Sequence, residues 1–347
     1  MYPNIFLWRD LTQLIKNEAM WVVLIFGVTS WCYGMVLSAD WWQRLPDMAF
    51  AVLAAALVFG FTRLGIPHHS RGPALGVALV LLMPRAALLP FTGHLAAPWF
   101  LSAAAALISA KIYLRDGAKP SSFTLLGFCI GVGMAVHPTF IAVLPWALLP
   151  AVAAVRERKT FLKTVPWMLI LAFAAWAVVR WGPVKELLIT LFPYPAYYLA
   201  VANPFAIGIS DILAMVLWSL ALLGFLAGIG RSRPAPPADS RPDLDGMRWN
   251  AFWRLAPLFE IQLTTGLLTA VAWICGSRMF HLRQPTLENL LLLSPLAALA
   301  AGVGLANIAD WLRRQRRIPN WLAEHPTAWG LALLCAANLL HLLQIVS

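Results

Sequence analysis

The chain has 347 residues, of which 61% are hydrophobic and only 12% are charged. Soluble domains carry about 25% charged residues, so this composition argues against a water-soluble globular protein. The formal net charge of +11 does not indicate nucleic-acid binding, because polytopic membrane proteins collect Lys and Arg in their cytoplasmic loops. The apolar runs are long and do not alternate in polarity, which argues against a transmembrane β-barrel. We therefore expect an all-α, polytopic transmembrane helical bundle.

Residues 1–19 are predicted to form an amphipathic segment that lies on the membrane interface. Eleven apolar runs between charge clusters then predict eleven membrane spans. The fifth and sixth are short and meet at a predicted break at His137-Pro138. The predicted spans cover residues 20–38, 46–62, 73–92, 95–112, 121–136, 138–155, 164–181, 205–229, 257–275, 287–308 and 325–346.

The distribution of positive charge predicts the orientation of these spans. If the N-terminus is cytoplasmic, 20 of the 26 Lys and Arg residues fall on the cytoplasmic side. Such a bias is the main determinant of membrane topology, so we expect an external C-terminus in a bacterial inner membrane. The Pro-rich, charged segment 231–256 is then a cytoplasmic linker, which separates an eight-span domain (20–230) from a three-span domain (257–347).

The first outer connection, in the stretch YGMVLSADWWQRLPDMAF, gathers charges between two apolar runs. Asp40 directly follows the first span and is either a general base or a solvated loop acid. The two adjacent tryptophans are typical interface anchors. Asp47 follows a proline and suits the first turn of the next helix.

Two further ionisable residues lie within apolar runs, where charge is costly and often functional. Arg85 lies late in the third span between two prolines, and snorkelling to the headgroups does not readily explain it. His137 precedes Pro138, and it either binds a ligand or bonds to a carbonyl that the proline leaves free.

The segment CGSRMFHLRQPTLENLLLLSP places Arg278, His281 and Arg283 in one short outer connection. Guanidinium groups pair bidentately with phosphate oxygens, so this cluster is a candidate lipid-phosphate site. Ordinary contact with lipid headgroups is the alternative. The four cysteines do not have metal-ligand spacing, and we expect no metal site.

Three stretches resemble the GT-C superfamily of membrane glycosyltransferases, which use polyprenyl-phosphate sugars. The first is LPDMAFAVLAAALVFGFTRLG, which is like the family's Pro-started span after the first outer loop. The second, LLGFCIGVGMAVHPTFIAVLPWALLPAV, looks like its paired short spans, with His137 at a position often taken by Lys. The third, SRMFHLRQPTLENLLLLSPLAALAAGVGLANIADWL, is similar to its late Arg-bearing outer segment. Together the likeness covers roughly two thirds of the chain.

This resemblance implies that Asp40 is the catalytic base and that Arg278 and Arg283 hold the lipid phosphate. It also implies a polyprenyl-phosphate sugar as donor, with membrane lipid as a partner and no further cofactor. The first outer connection is shorter than is usual in that family, which favours a second hypothesis of a non-catalytic assembly or scaffold subunit bound to other membrane subunits. A lipid or polymer transporter is the third.

Overall fold

The computed structural model describes residues 18–37, 45–66, 72–82, 96–114, 120–153, 155, 158–181, 209–229, 257–279, 292–314 and 326–346. At several helix ends, the backbone alone is described. Regular structure within these ranges is helical throughout, so the expectation of an all-α protein is confirmed there. Residues 1–17, most of the predicted interfacial segment, lie outside the described residues, as does the whole of the predicted linker.

Eleven α-helices are described, and each overlaps one of the eleven predicted spans. In chain order they are α1 (Glu18–Leu37), α2 (Leu45–Gly65), α3 (Gly72–Leu81), α4 (Ala96–Leu114), α5 (Pro120–Val136), α6 (Leu144–Ala153), α7 (Arg158–Trp181), α8 (Ile209–Ile229), α9 (Pro257–Met279), α10 (Ser294–Arg314) and α11 (Pro326–Val346).

The structure agrees with the predicted helix break at Pro138 but not with the predicted length of the third span. A 3₁₀ helix (Pro138–Val143) separates α5 from α6, in agreement with the break expected at His137-Pro138, because proline disfavours helical geometry in the residue before it. In contrast, α3 ends at Leu81, although the apolar run predicted a span to residue 92. Pro84 lies three residues beyond Leu81, and residues 83–95 are outside the described part of the chain.

Four helices are long and apolar enough to cross a membrane: Leu45–Gly65, Ala96–Tyr113, Lys163–Trp181 and Ser294–Leu312. In the other helices, the apolar stretches whose side chains the structure describes have 10–17 residues, such as Met215–Ala227 in α8. Many large apolar side chains point away from the protein, including Trp181 (73% exposed) and Leu267 (66% exposed). This is the arrangement expected where lipid rather than water surrounds a bundle. The number of crossings and the cytoplasmic N-terminus stay predictions.

Contacts between helices show their relative directions. Gly127 packs on Met168 and Gly131 on Ala172, so α5 and α7 run parallel. Likewise Phe50 contacts Phe100 and Gly60 faces Leu107, so α2 and α4 are parallel. In a chain that crosses a membrane back and forth, all odd-numbered helices point one way and all even-numbered helices point the other way. The parallel pairs α5/α7 and α2/α4 agree with this rule.

An antiparallel pair obeys the same alternation. Gly76 of α3 packs against Ala298 and Gly302 of α10, and Gly302 in turn faces Gly72. Small residues allow two helix backbones to approach closely, which is the usual basis of helix association in membranes. Helix α10 also contacts α8, so helices that precede residues 231–256 pack directly against helices that follow them.

Candidate functional site

A buried polar cluster joins the end of α3 to the second half of α11 and to the last two turns of α1. The Tyr33 hydroxyl lies 2.9 Å from His341 Nδ1 and 3.3 Å from Asn338 Oδ1. Asn338 Nδ2 donates to the carbonyl oxygens of Leu82, at 2.6 Å, and Leu334, at 2.8 Å. Tyr33 is fully buried, Asn338 is nearly so, and the His341 ring packs against the tyrosine ring. The cluster therefore holds three helices together at one level of the bundle.

Two predicted site residues follow this cluster in the chain. Asp40 comes three residues after the end of α1 at Leu37, and Arg85 comes three residues after Leu82. Both lie outside the described residues. The described residues show that α1 ends four residues after Tyr33 and that Leu82, the last described residue before Arg85, accepts a hydrogen bond from Asn338.

A second set of buried hydrogen bonds ties the start of α4 to the start of α10. Trp99 Nε1 donates to Ser294 Oγ at 2.7 Å, and Ser102 Oγ donates to the Leu292 carbonyl at 2.6 Å. These bonds fix the point at which the chain emerges from residues 280–291, the segment that carries His281 and Arg283.

His137 lies in the turn between α5 and the 3₁₀ helix, with extended backbone geometry (φ −144°, ψ 122°). Its backbone N–H donates to the Gly133 carbonyl and its carbonyl accepts from Phe140, both at 3.0 Å. The 3₁₀ helix contacts α4 and α9 as well as its chain neighbours. The structure thus brings the segment that follows His137 against α9, the helix that ends beside Arg278.

The predicted phosphate cluster is described only in part. Arg278 belongs to the last turn of α9, and its backbone alone is described. His281 and Arg283 lie outside the described residues. They belong to the connection between α9 and α10, so both ends of this connection are fixed by helices.

An apolar groove of about 660 Å³ lies between α8 and α9, with α10 as its floor. This volume is in the range of small-molecule sites. Its walls are almost entirely hydrocarbon and are lined by Trp218, Ala221, Leu222, Phe225, Leu226, Leu263, Thr264, Gly266, Leu267, Ala270, Leu293, Leu296, Ala297, Ala300 and Ala301. The groove suits a hydrocarbon chain better than a polar ligand.

Behind the groove, α6 and α9 meet at two buried polar side chains. Gln262 Nε2 makes a long hydrogen bond of 3.4 Å to the Trp146 carbonyl. Within the described residues, Gln262 Oε1 and Trp146 Nε1 have no hydrogen-bond partner. The Trp146 indole lies close behind Gly266, a groove residue, so the wall is thin at this point.

Sequence reasoning missed Tyr33, Asn338 and His341. A usable signal was present, because Asn338 and His341 are spaced three apart on an otherwise apolar helix and therefore share one face. Polar side chains inside apolar helices commonly bond across helices. The partner could not be read from the sequence, since Tyr33 lies 305 residues away from Asn338.

The described residues define an all-helical protein in which four helices are long and apolar enough to cross a membrane. They hold no group of three His, Cys, Asp or Glu side chains that could bind a metal ion. Comparison of the chain with protein-family models, with curated protein sequences and with solved structures gave no match in any of the three. The resemblance to the GT-C superfamily therefore stays an expectation.

Proposed function

We propose that the chain is a glycosyltransferase-like protein of a bacterial inner membrane that transfers a sugar from a polyprenyl-phosphate donor to an acceptor on the outer side. One observation carries this proposal. Two of the helices that line the apolar groove are α9, which carries Arg278 in its last turn, and α10, and the connection between them carries His281 and Arg283. A hydrocarbon groove beside a basic segment matches the two parts of a lipid phosphate.

The distance along α9 fits such a ligand. Arg278 comes eight residues after Ala270, the last groove residue on this helix, which is about 12 Å at 1.5 Å per residue. A phosphate held at the end of α9 would thus place its first isoprene units over the groove.

The apolar groove selects lipid chains by their shape but contributes little to the binding free energy. In a bilayer the competing environment of a polyprenyl chain is lipid, which is as apolar as the groove. Most of the binding free energy must then come from charge-assisted hydrogen bonds to the phosphate, each worth about 1.5–3 kcal/mol. The arginines therefore decide affinity, and the groove decides which chains fit.

The proposed reaction needs a base and a stabilised leaving group. Asp40 takes the proton of the acceptor hydroxyl as its oxygen bonds to the anomeric carbon of the sugar. The bond between that carbon and the phosphate oxygen breaks, and Arg278 and Arg283 hold the charge that develops on the phosphate. Arg85 and His137 are proposed to bind the donor beside them.

Binding of undecaprenyl phosphate to the protein in lipid nanodiscs tests this proposal, with undecaprenol as the uncharged comparison. We expect Arg278→Ala to weaken binding of the phosphate by about tenfold or more and to leave undecaprenol unaffected. Arg180→Ala is the matched control, because Arg180 is an exposed arginine in the last turn of α7.

Equal losses in the two variants would indicate unspecific attraction to basic side chains. Transfer to an acceptor is then measured with a panel of polyprenyl-phosphate sugars. Asp40→Asn should abolish transfer without weakening lipid binding, and full activity in this variant would contradict the assignment of the base.

A second function, a non-catalytic scaffold subunit, is favoured by α7. This helix packs along α5, and its other face exposes Trp167 (62%) and Phe173 (65%). Such a face suits a helix of a partner subunit as well as lipid. Co-purification of a fixed partner, combined with absence of transfer from every donor, would favour this reading. A transporter is the third proposal, supported by the helix break at Pro138.

A further inference from the structure

Two buried polar groups lie behind one end of the apolar groove. Gln262 and Trp146 are both fully buried. Within the described residues, the acceptor Gln262 Oε1 and the donor Trp146 Nε1 have no hydrogen-bond partner. Such groups are rare in folded proteins and costly, because burial removes water as a partner and nothing replaces it. An unused acceptor next to an unused donor indicates a bound group that satisfies both.

Both groups lie against the part of α9 that lines the groove. Gln262 Nε2 donates to the Trp146 carbonyl at 3.4 Å, which turns Oε1 away from that carbonyl. Gly266 lies one turn further along α9, on the same face as Gln262, and it lines the groove. Trp146 Cδ1, the atom bonded to Nε1, lies 3.9 Å from the position of a Cβ on Gly266. The N–H edge of the indole therefore faces Gly266.

Leu296 covers Gly266 on the groove side. Its Cδ1 occupies the space that a side chain on Gly266 would take, and Leu296 itself lines the groove. A leucine side chain can change between staggered rotamers, so a ligand in the groove can displace it. Because Gly266 has no side chain, the space behind Leu296 then leads to the two polar groups.

The chemistry of the pair selects a hydroxyl group. A hydroxyl accepts from Trp146 Nε1 and donates to Gln262 Oε1. Neither side chain carries a charge, and burial of a carboxylate, phosphate or ammonium ion without an opposite charge is very costly. An ether oxygen would satisfy only the indole, because it has no hydrogen to donate.

The shape of the groove adds a hydrocarbon chain to this hydroxyl. Groove residues on α9 run from Leu263 to Ala270, which is about 10 Å at 1.5 Å per residue. Gln262 directly precedes the first of them, so the polar pair lies at one end of the groove. We propose that the groove binds a neutral long-chain alcohol, whose hydroxyl bridges Trp146 Nε1 and Gln262 Oε1 and whose chain lies along α9.

This site is separate from the proposed phosphate site. Arg278 comes 16 residues after Gln262 on α9, which is about 24 Å along the helix. An alcohol carries no phosphate, so Arg278→Ala should leave its binding unchanged and failure of one proposal does not decide the other. A polyprenyl chain that lies over the same walls competes with the alcohol for the groove.

Binding of hexadecanol to the whole chain in lipid nanodiscs tests the site, with hexadecyl methyl ether as the comparison that cannot donate a hydrogen bond. We expect the alcohol to bind several-fold more tightly than the ether. In an NMR spectrum of isotope-labelled tryptophan indoles, the alcohol should move the Trp146 N–H signal downfield, as a new hydrogen bond does. Gln262→Met keeps the length of the side chain without its amide and should remove the preference for the alcohol.

Thr264→Val is the matched control, because Thr264 also lines the groove but is not part of the pair. It should keep the preference for the alcohol. Trp146→Phe assigns the indole signal and is the second variant, for the case that Gln262→Met does not fold. It removes Nε1 and should weaken binding of hexadecanol several-fold.

Equal affinities for alcohol and ether in the unmodified protein would overturn the proposal. A preference for the alcohol that persists in a folded Gln262→Met protein would do the same. So would an NMR contact between the Trp146 indole proton and a bound water that hexadecanol does not displace, since the pair would then be satisfied by water.

Discussion

Helices α3 and α8 are both strongly apolar and both pack against α10, but their surroundings are opposite. All ten residues of α3 are buried, and it contacts α1, α2, α8, α10 and α11. In α8, large side chains such as Met215 (62% exposed) and Leu223 (60% exposed) are mostly exposed. Two helices of similar hydropathy can therefore lie at the centre of the bundle, as α3 does, or at its periphery, as α8 does.

Helix α10 contacts α3 and α8 through different residues. On α10, Ala298 and Gly302 face α3, whereas Gly304 faces α8. The first contact closes the centre of the protein, and the second leaves α8 standing beside an open groove. We infer that the centre supplies rigidity and that the α8 side supplies the surface where a lipid chain can enter.

The largest effect is expected from a methyl group in the central contact. In Gly76→Ala the new Cβ would overlap the backbone of Ala298 and Gly302, and backbone cannot move aside as a flexible side chain can. Overpacking of this kind costs about 1–3 kcal/mol, occasionally more. Thermal unfolding in detergent should show a clear loss of stability.

Gly60→Ala is the control for this prediction. Its Cβ would meet the Leu107 side chain at an ordinary 3.8 Å, and the loss of a helix glycine should stabilise the protein by up to about 1 kcal/mol. If Gly76→Ala were as stable as Gly60→Ala, the α3–α10 contact would be looser than described.

A smaller effect on stability, but a specific one on binding, is expected at the groove. Ala300→Phe places a ring in the space lined by α8, α9 and α10, and we expect affinity for undecaprenyl phosphate to fall by about tenfold. Ala174→Phe adds the same ring to an exposed position on α7 and should not alter binding. Isothermal titration in nanodiscs compares the two, and equal affinities would remove the groove from the binding site.

The positions of the helices could be predicted from the sequence because the length of an apolar run is a local property. The break at Pro138 was predictable for the same reason, since proline acts on its immediate neighbours. The contact between the end of α3 and α11 was not, because it is made by a hydrogen bond from Asn338, more than 250 residues away along the chain.

The candidate site shows the same limit. Charge and spacing drew attention to Arg278, His281 and Arg283, but hydropathy cannot tell whether an apolar side chain faces lipid, protein or a groove. Leu222 and Leu79 are both leucines within apolar helices. Leu222 lines the groove, whereas Leu79 is buried against α8 and α10. That distinction comes from packing of glycines and alanines between distant helices.

Photo-crosslinking of a diazirine-bearing polyprenyl phosphate, followed by peptide mass spectrometry, shows whether the lipid chain lies in the groove. We expect adducts concentrated on groove residues such as Leu222, Leu267 and Ala300, and a loss of these adducts in Arg278→Ala. Adducts spread equally over exposed α7 residues such as Phe173, and insensitive to Arg278→Ala, would contradict it.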